Sequence, residues 1–147
     1  MTGQAAGPAW PSAPPPRAGD GLHWDLSDVS QLPRIRADVR RHVTDRALRT
    51  DHTSADLRER LVLALDEMAS NALRHGGGSV QASVRLTADS YLIEVTDAAP
   101  SAPPTPAVGR DPSEGGLGLY LIAELATDHG WYVTAGTKHV WAVLPRG

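Results

Sequence analysis

The chain has no cysteine, which excludes disulfides and thiolate metal sites. Lysine is nearly missing as well: Lys138 is the only one, and arginine supplies the rest of the basic charge. With abundant Ala, Pro and Asp, this composition suggests a GC-rich bacterial genome. No apolar run approaches the length of a membrane span, and the N-terminus shows no signal-peptide core. The expectation is a cytoplasmic protein with no membrane role. The formal net charge of -3 gives no electrostatic case for nucleic acid or an anionic lipid surface. There is no internal repeat, no serine-nucleophile motif and no histidine cluster with metal-ligand spacing. What remains is a chain of 147 residues, 41% hydrophobic, which suits one domain with a real core.

Residues 1–20 are rich in Pro, Ala and Gly and read as a disordered or loosely docked tail, leaving 21–147 as the folded domain. Trp10 in that tail is either an incidental aromatic or a docking residue for a partner. "LHWDLS" (22–27) alternates like a short edge strand. In "SQLPRIRADVRRHVTDRAL", Ser30 is a plausible N-cap and Pro33 fits a first turn. Leu32, Ile35, Val39 and Val43 then share a helical face. The arginines of that helix lie mostly elsewhere, as a solvated face or a surface for an acidic partner. Ser54 can cap a second helix reaching about residue 75. Its Leu57, Leu61, Leu65, Met68 and Ala72 span only about 80° of the circumference.

"SVQASVRL" and "YLIEVTD" alternate on either side of "TADS", as a hairpin does. Residues 98–114 form a Pro-rich loop long enough to expect a function. "GGLGLYLIAELATDHG" reads as a glycine turn entering a helix with Leu121, Ile122 and Leu125 inward. "WYVTAGTKHVWAVLP" closes the chain as a hairpin turning near Gly136. The order predicts an α+β two-layer sandwich, with helices on one face of a mixed, mostly antiparallel sheet.

Three places in this frame carry chemistry. Glu67 and Asn71 are one turn apart on the second helix, about 120° and 80° from the centre of its apolar stripe. At that edge a carboxylate can act as a general base, and an amide oxygen suits Mg²⁺. Each is also an ordinary residue for a helix flank. Asp97 follows Ile93 and Val95 in strand parity and so points inward. A carboxylate there needs donors, from the protein or from a ligand amine. The "EGGLGL" glycines (114–119) let backbone approach a ligand, with helix-start amides suited to phosphate. His75 and the glycines after it fit a plain helix stop.

Taken in order, these pieces resemble the GHKL (Bergerat-fold) ATPase superfamily of gyrase, heat-shock chaperone ATPases, histidine kinases and mismatch-repair proteins. Within it the likeness runs to stand-alone bacterial anti-sigma-factor serine/threonine kinases and related ATP-binding regulators of actinomycetes. Glu67-x-x-x-Asn71-Ala72-x-x-His75-Gly76 looks like the N box, and Asp97 like the start of the first glycine box. Gly116-Leu117-Gly118-Leu119 looks like the second box, and "VWAVLP" like the final strand. The likeness covers residues 22–145, nearly all of the chain after the tail.

The resemblance implies ATP and Mg²⁺ as cofactors. It makes Glu67 the catalytic base and Asn71 the Mg²⁺ ligand, with His75 beside them in the nucleotide site. It implies that Asp97 bonds the adenine amine and that Gly116, Leu117, Gly118 and Leu119 cradle phosphates. Thr137 would join the adenine side, and residues 98–114 would form the lid. One departure is plain: Ala99 and Ser101 stand where the first box has glycines, so Ala99 takes a glycine's place against the base. The function implied is phosphorylation of an anti-anti-sigma (STAS-type) antagonist together with sequestration of a sigma factor, by a chain that pairs as a homodimer. The lost glycines suggest an alternative, a degenerate protein-binding regulator with weak or no ATP binding.

Overall fold

The computed structural model describes residues 10–47, 54–75, 79–98 and 117–145. Strand β1 (Gly21–Leu26) leads through a short 3-10 turn (Val29–Gln31) into helices α1 (Leu32–Ala47) and α2 (Ser54–His75). Strands β2 (Val80–Leu86) and β3 (Ser90–Asp97) follow. Helix α3 (Leu117–Leu125) and strands β4 (Asp128–Thr134) and β5 (Thr137–Pro145) complete the order. The five strands form one sheet in the order β1-β2-β3-β5-β4, and each of these pairs is antiparallel. The helices lie on one face, as the α+β sandwich requires.

Both long helices form where apolar side chains recur every three or four residues. Ile35, Val39 and Val43 of α1 and Leu57, Leu61, Leu65, Met68 and Ala72 of α2 are all buried. The arginines of α1 pair largely within the protein. Arg36 Nη1 donates to Asp66 Oδ1 at 2.5 Å, and the Arg40 guanidinium reaches both oxygens of Glu59 at 3.1 and 3.2 Å. Ser30 is not the cap. The N-cap is Asp28, two residues earlier and just before the 3-10 turn, and the Gln31 side chain accepts the Asp28 N–H at 3.0 Å in a capping box.

Strand parity sorts the sheet's two faces. Val80, Ala82 and Val84 on β2, and Ile93, Val95 and Asp97 on β3, face the helices and are buried. On β5, Lys138, Val140, Ala142 and Leu144 do the same. The β4–β5 turn is Ala135-Gly136, both with positive φ (50° and 81°), the two-residue geometry that matches sheet twist.

The sequence reading of α3 needs correction. Leu119 and Ile122 are its buried residues, whereas Leu121 and Leu125 are 44% and 37% exposed. Leu-Gly-Leu-Tyr-Leu-Ile is apolar on every side, so its pattern does not select a face.

Residues 10–20 belong to the fold. Trp10 is buried in the chain's own core, with its ring edge-on to His129. Ala13 N donates to Trp131 O at 3.0 Å, and Trp131 N donates to Pro11 O at 2.9 Å. These bonds lay the segment parallel to β4 along its outer edge, the one parallel contact to the sheet among the described residues. Trp141 Nε1 then donates to Ala13 O at 2.8 Å, and Gly19 N to Leu86 O at 2.7 Å. The strap therefore runs from the β4 edge across the helix-free face to β2. Gly130 makes the crossing possible: a Cβ there would meet the Trp141 ring at 2.8 Å and Pro11 O at 2.9 Å.

Candidate functional site

The N-box residues sit where α2 meets the ends of β3 and β5. Met68, Asn71 and Ala72 are at i, i+3 and i+4, so they present one helical face to the sheet. Asn71 is half-buried at the edge of that face. Asp97 is the last residue of β3, inward by parity with Tyr91, Ile93 and Val95, and 3% exposed. Its register partner on β5 is Lys138. Two residues directly opposite in an antiparallel pair project from the same face. The Lys138 Nζ accordingly stands 3.6 Å from Asp97 Oδ2, and the lysine is itself 7% exposed.

Asn71, Asp97 and Lys138 surround one small gap, walled by Met68, Ala72, Val95, Leu119 and Val140. Its volume is about 10 Å³, room for about one water rather than for a heterocycle. A larger guest must be seated by moving a wall, and the long Lys138 side chain is the most adaptable of them. The gap offers a flat ring apolar walls and an edge of mixed polarity. The carboxylate accepts, the ammonium donates, and the Asn71 amide does either. That donor set can meet a ligand edge that carries both donors and acceptors.

Glu67 lies one turn before Asn71, half-buried and outside the walls of the gap. His75 ends α2 and Leu117 and Gly118 open α3, but their side chains lie outside the described residues, as do Ala99 and Gly116 altogether. Leu119 does reach the gap. Thr137 does not. It alternates with His139 and Trp141, and so belongs to the face turned away from the helices. The residue beside Asp97 is Lys138, one position later. Parity with Val140 and Leu144 was the available signal.

A second buried carboxylate lies on that helix-free face. Glu94 is 8% exposed and receives Arg85 Nη2 at 3.2 Å and the Tyr132 hydroxyl at 2.9 Å. His139 Nδ1 stands 2.7 Å from it, while His139 Nε2 meets Thr134 Oγ1 at 2.8 Å. The Tyr132 and His139 rings stack at 4.3 Å. Burial first, and then the bond to Glu94, push the Tyr132 phenol up to about 12, so it stays a donor at neutral pH. A wide cleft of about 430 Å³ opens beside this cluster. Glu94 is already satisfied, so its burial calls for no ligand.

Among the described residues no group of three His, Cys, Asp or Glu side chains could hold a metal, and no helix is long and apolar enough to cross a membrane. The profile of the histidine kinase-like ATPase domain family matches residues 29–144. Among curated proteins, none matches the chain significantly.

Proposed function

The chain belongs to the histidine kinase-like ATPase domain family, and from that premise we propose that it is an ATP-binding regulator of anti-sigma-factor type. Its reaction is transfer of the ATP γ-phosphoryl group to a serine or threonine of a STAS-type anti-anti-sigma protein, and its second partner is a sigma factor. The observation that supports nucleotide binding most directly is the meeting of Asn71, Asp97 and Lys138 around one gap with apolar walls.

Each residue then has a task. Asp97 accepts from the exocyclic amine of adenine, which accounts for an inward carboxylate at a strand end. Asn71, half-buried at the mouth, offers an amide oxygen to Mg²⁺. Such an ion takes only one or two protein oxygens when phosphates supply others. Glu67 is one turn away and partly open to solvent, so an incoming hydroxyl can reach it. Its carboxylate takes the hydroxyl proton as the oxygen bonds to the γ-phosphorus and the bond to ADP breaks. ATP supplies the transferable phosphoryl group.

Calorimetric titration with ATP, with and without Mg²⁺, tests the reading. Saturable binding is expected, and none at millimolar ATP would overturn it. Glu67→Ala should then keep ATP affinity and lose transfer of label from γ-labelled ATP to a STAS-domain protein of the same genome. One observation favours the second reading, a regulator that binds protein without using ATP: the Asp97 carboxylate already faces a cation. The same titration separates the two.

A further inference from the structure

We propose that the Thr134 hydroxyl is a nucleophile, activated by His139, that accepts an acyl group from activated carboxylic esters. The inference goes beyond the ATP reading, because these residues lie on the face of the sheet turned away from the helices.

Three side chains stand in series there. Glu94 Oε2 is 2.7 Å from His139 Nδ1, and His139 Nε2 is 2.8 Å from Thr134 Oγ1. Their surroundings fix where the hydrogens lie. Glu94 already receives Arg85 Nη2 and the Tyr132 hydroxyl. A carboxylate only accepts, so His139 Nδ1 donates to it. The neutral ring then keeps its lone pair at Nε2, and the Thr134 hydroxyl donates to that nitrogen. An imidazole so placed can act as general base on a hydroxyl, with the carboxylate orienting the ring. Tyr132 holds the plane of the imidazole by stacking on it at 4.3 Å and 12°.

The base is sheltered and the nucleophile is open. The His139 side chain is 18% exposed, whereas Thr134 is exposed at the end of β4. A Cβ on Gly136 would meet nothing within 4 Å, so the turn beside the hydroxyl is uncrowded. His139 also walls the cleft of about 430 Å³, which puts the hydroxyl one hydrogen bond from a ligand-sized space. In the reaction the Thr134 oxygen bonds to the ester carbonyl carbon as its proton passes to His139 Nε2. The bond to the leaving alcohol then breaks, and His139 returns the proton to the departing oxygen. Thr134 is left as an acyl ester.

The probe is para-nitrophenyl acetate, read by nitrophenolate release and by peptide mass mapping of the full chain. Thr134 should gain acetyl about tenfold or more faster than Thr137, the other threonine beside that turn. Thr134→Val should lose the label and Thr134→Ser should keep it. His139→Gln should slow labelling about a hundredfold. The wild-type rate should fall as acid protonates the imidazole, since a charged ring has no lone pair for the hydroxyl, and His139→Gln should show no such fall. If His139→Gln does not fold, the Thr134 variants and the wild-type pH profile decide. Acetyl on Thr134 no faster than on Thr137 overturns the proposal, as does an unchanged rate of labelling in Thr134→Val. A chain that binds no ATP and still acylates at Thr134 would sink the ATP reading and leave this one standing.

Discussion

Strand β3 carries two buried carboxylates three residues apart, and they face opposite ways. Glu94 points to the helix-free face and meets Arg85, Tyr132 and His139 at 2.7 to 3.2 Å. Asp97 points to the helices and meets a lysine at 3.6 Å beside a gap. Burial is nearly the same, 8% and 3% exposed, so burial alone does not mark a site. What differs is the surroundings. Glu94 sits among Arg85, Tyr132 and His139 and ties β2, β3, β4 and β5 together. Asp97 faces the Lys138 ammonium at 3.6 Å and lines a gap that Asn71 also lines.

The sharpest way to break this distinction is to remove each carboxylate's function separately. Glu94→Ala leaves Arg85, His139 and the Tyr132 hydroxyl without their acceptor. It should cost about 3–5 kcal/mol in urea denaturation. ATP affinity should not change, since Glu94 is on the opposite face. The double variant Asp97→Asn/Lys138→Met removes both facing charges together and should cost less than Glu94→Ala. It should also lose ATP binding. If the double variant destabilises as much as Glu94→Ala, the two carboxylates are both structural and the contrast fails.

A smaller effect follows for Tyr132. Its phenol is held up to about 12, above the ordinary value of 10.0. The unfolded chain therefore loses that proton first, and the stabilisation is complete below pH 10 and drains away as pH approaches 12. Tyr132→Phe should cost about 1–2 kcal/mol at neutral pH and flatten the alkaline limb of a stability–pH curve. An unchanged alkaline limb would remove Tyr132 from the Glu94 network.

The smallest effect lies at the strap. Burial holds the His129 imidazole below its ordinary 6.5, and Asp128 only partly offsets this. The unfolded chain binds the proton first as pH falls. The contribution is thus present above pH 6.5 and lost below it. The urea midpoint should fall between pH 7 and pH 5, and His129→Gln should reduce the fall. Neither variant should alter nucleotide affinity, which keeps both on the structural side of the comparison.

Much of this arrangement was legible before any coordinates. The stripes of α1 and α2 and the alternation of β2 and β3 follow directly from their periods. Alternation also turned Asp97 inward. The readings that went astray share one physical cause, a pattern that does not select one answer. Helix α3 is apolar all round, so Leu121 and Leu125 seemed as good as Leu119 for the inward face. Thr137 and Lys138 differ by one position in a strand, and one position exchanges the faces. The proline-rich strap has no period at all. Its order comes from backbone bonds to Trp131 and Leu86 and from one buried indole, none of which local composition encodes.

That strap has a consequence for how copies of the chain can meet. A sheet with two bare edges can add chains at both ends without limit. Here Pro11–Ala13 already occupies the outer side of β4 at Trp131, and the prolines at 11, 14, 15 and 16 have no N–H with which to recruit another strand. Among the described residues, β1 is the remaining edge of the sheet. Two chains that join through β1 each spend that edge, so the association stops at a pair and cannot propagate as a fibre.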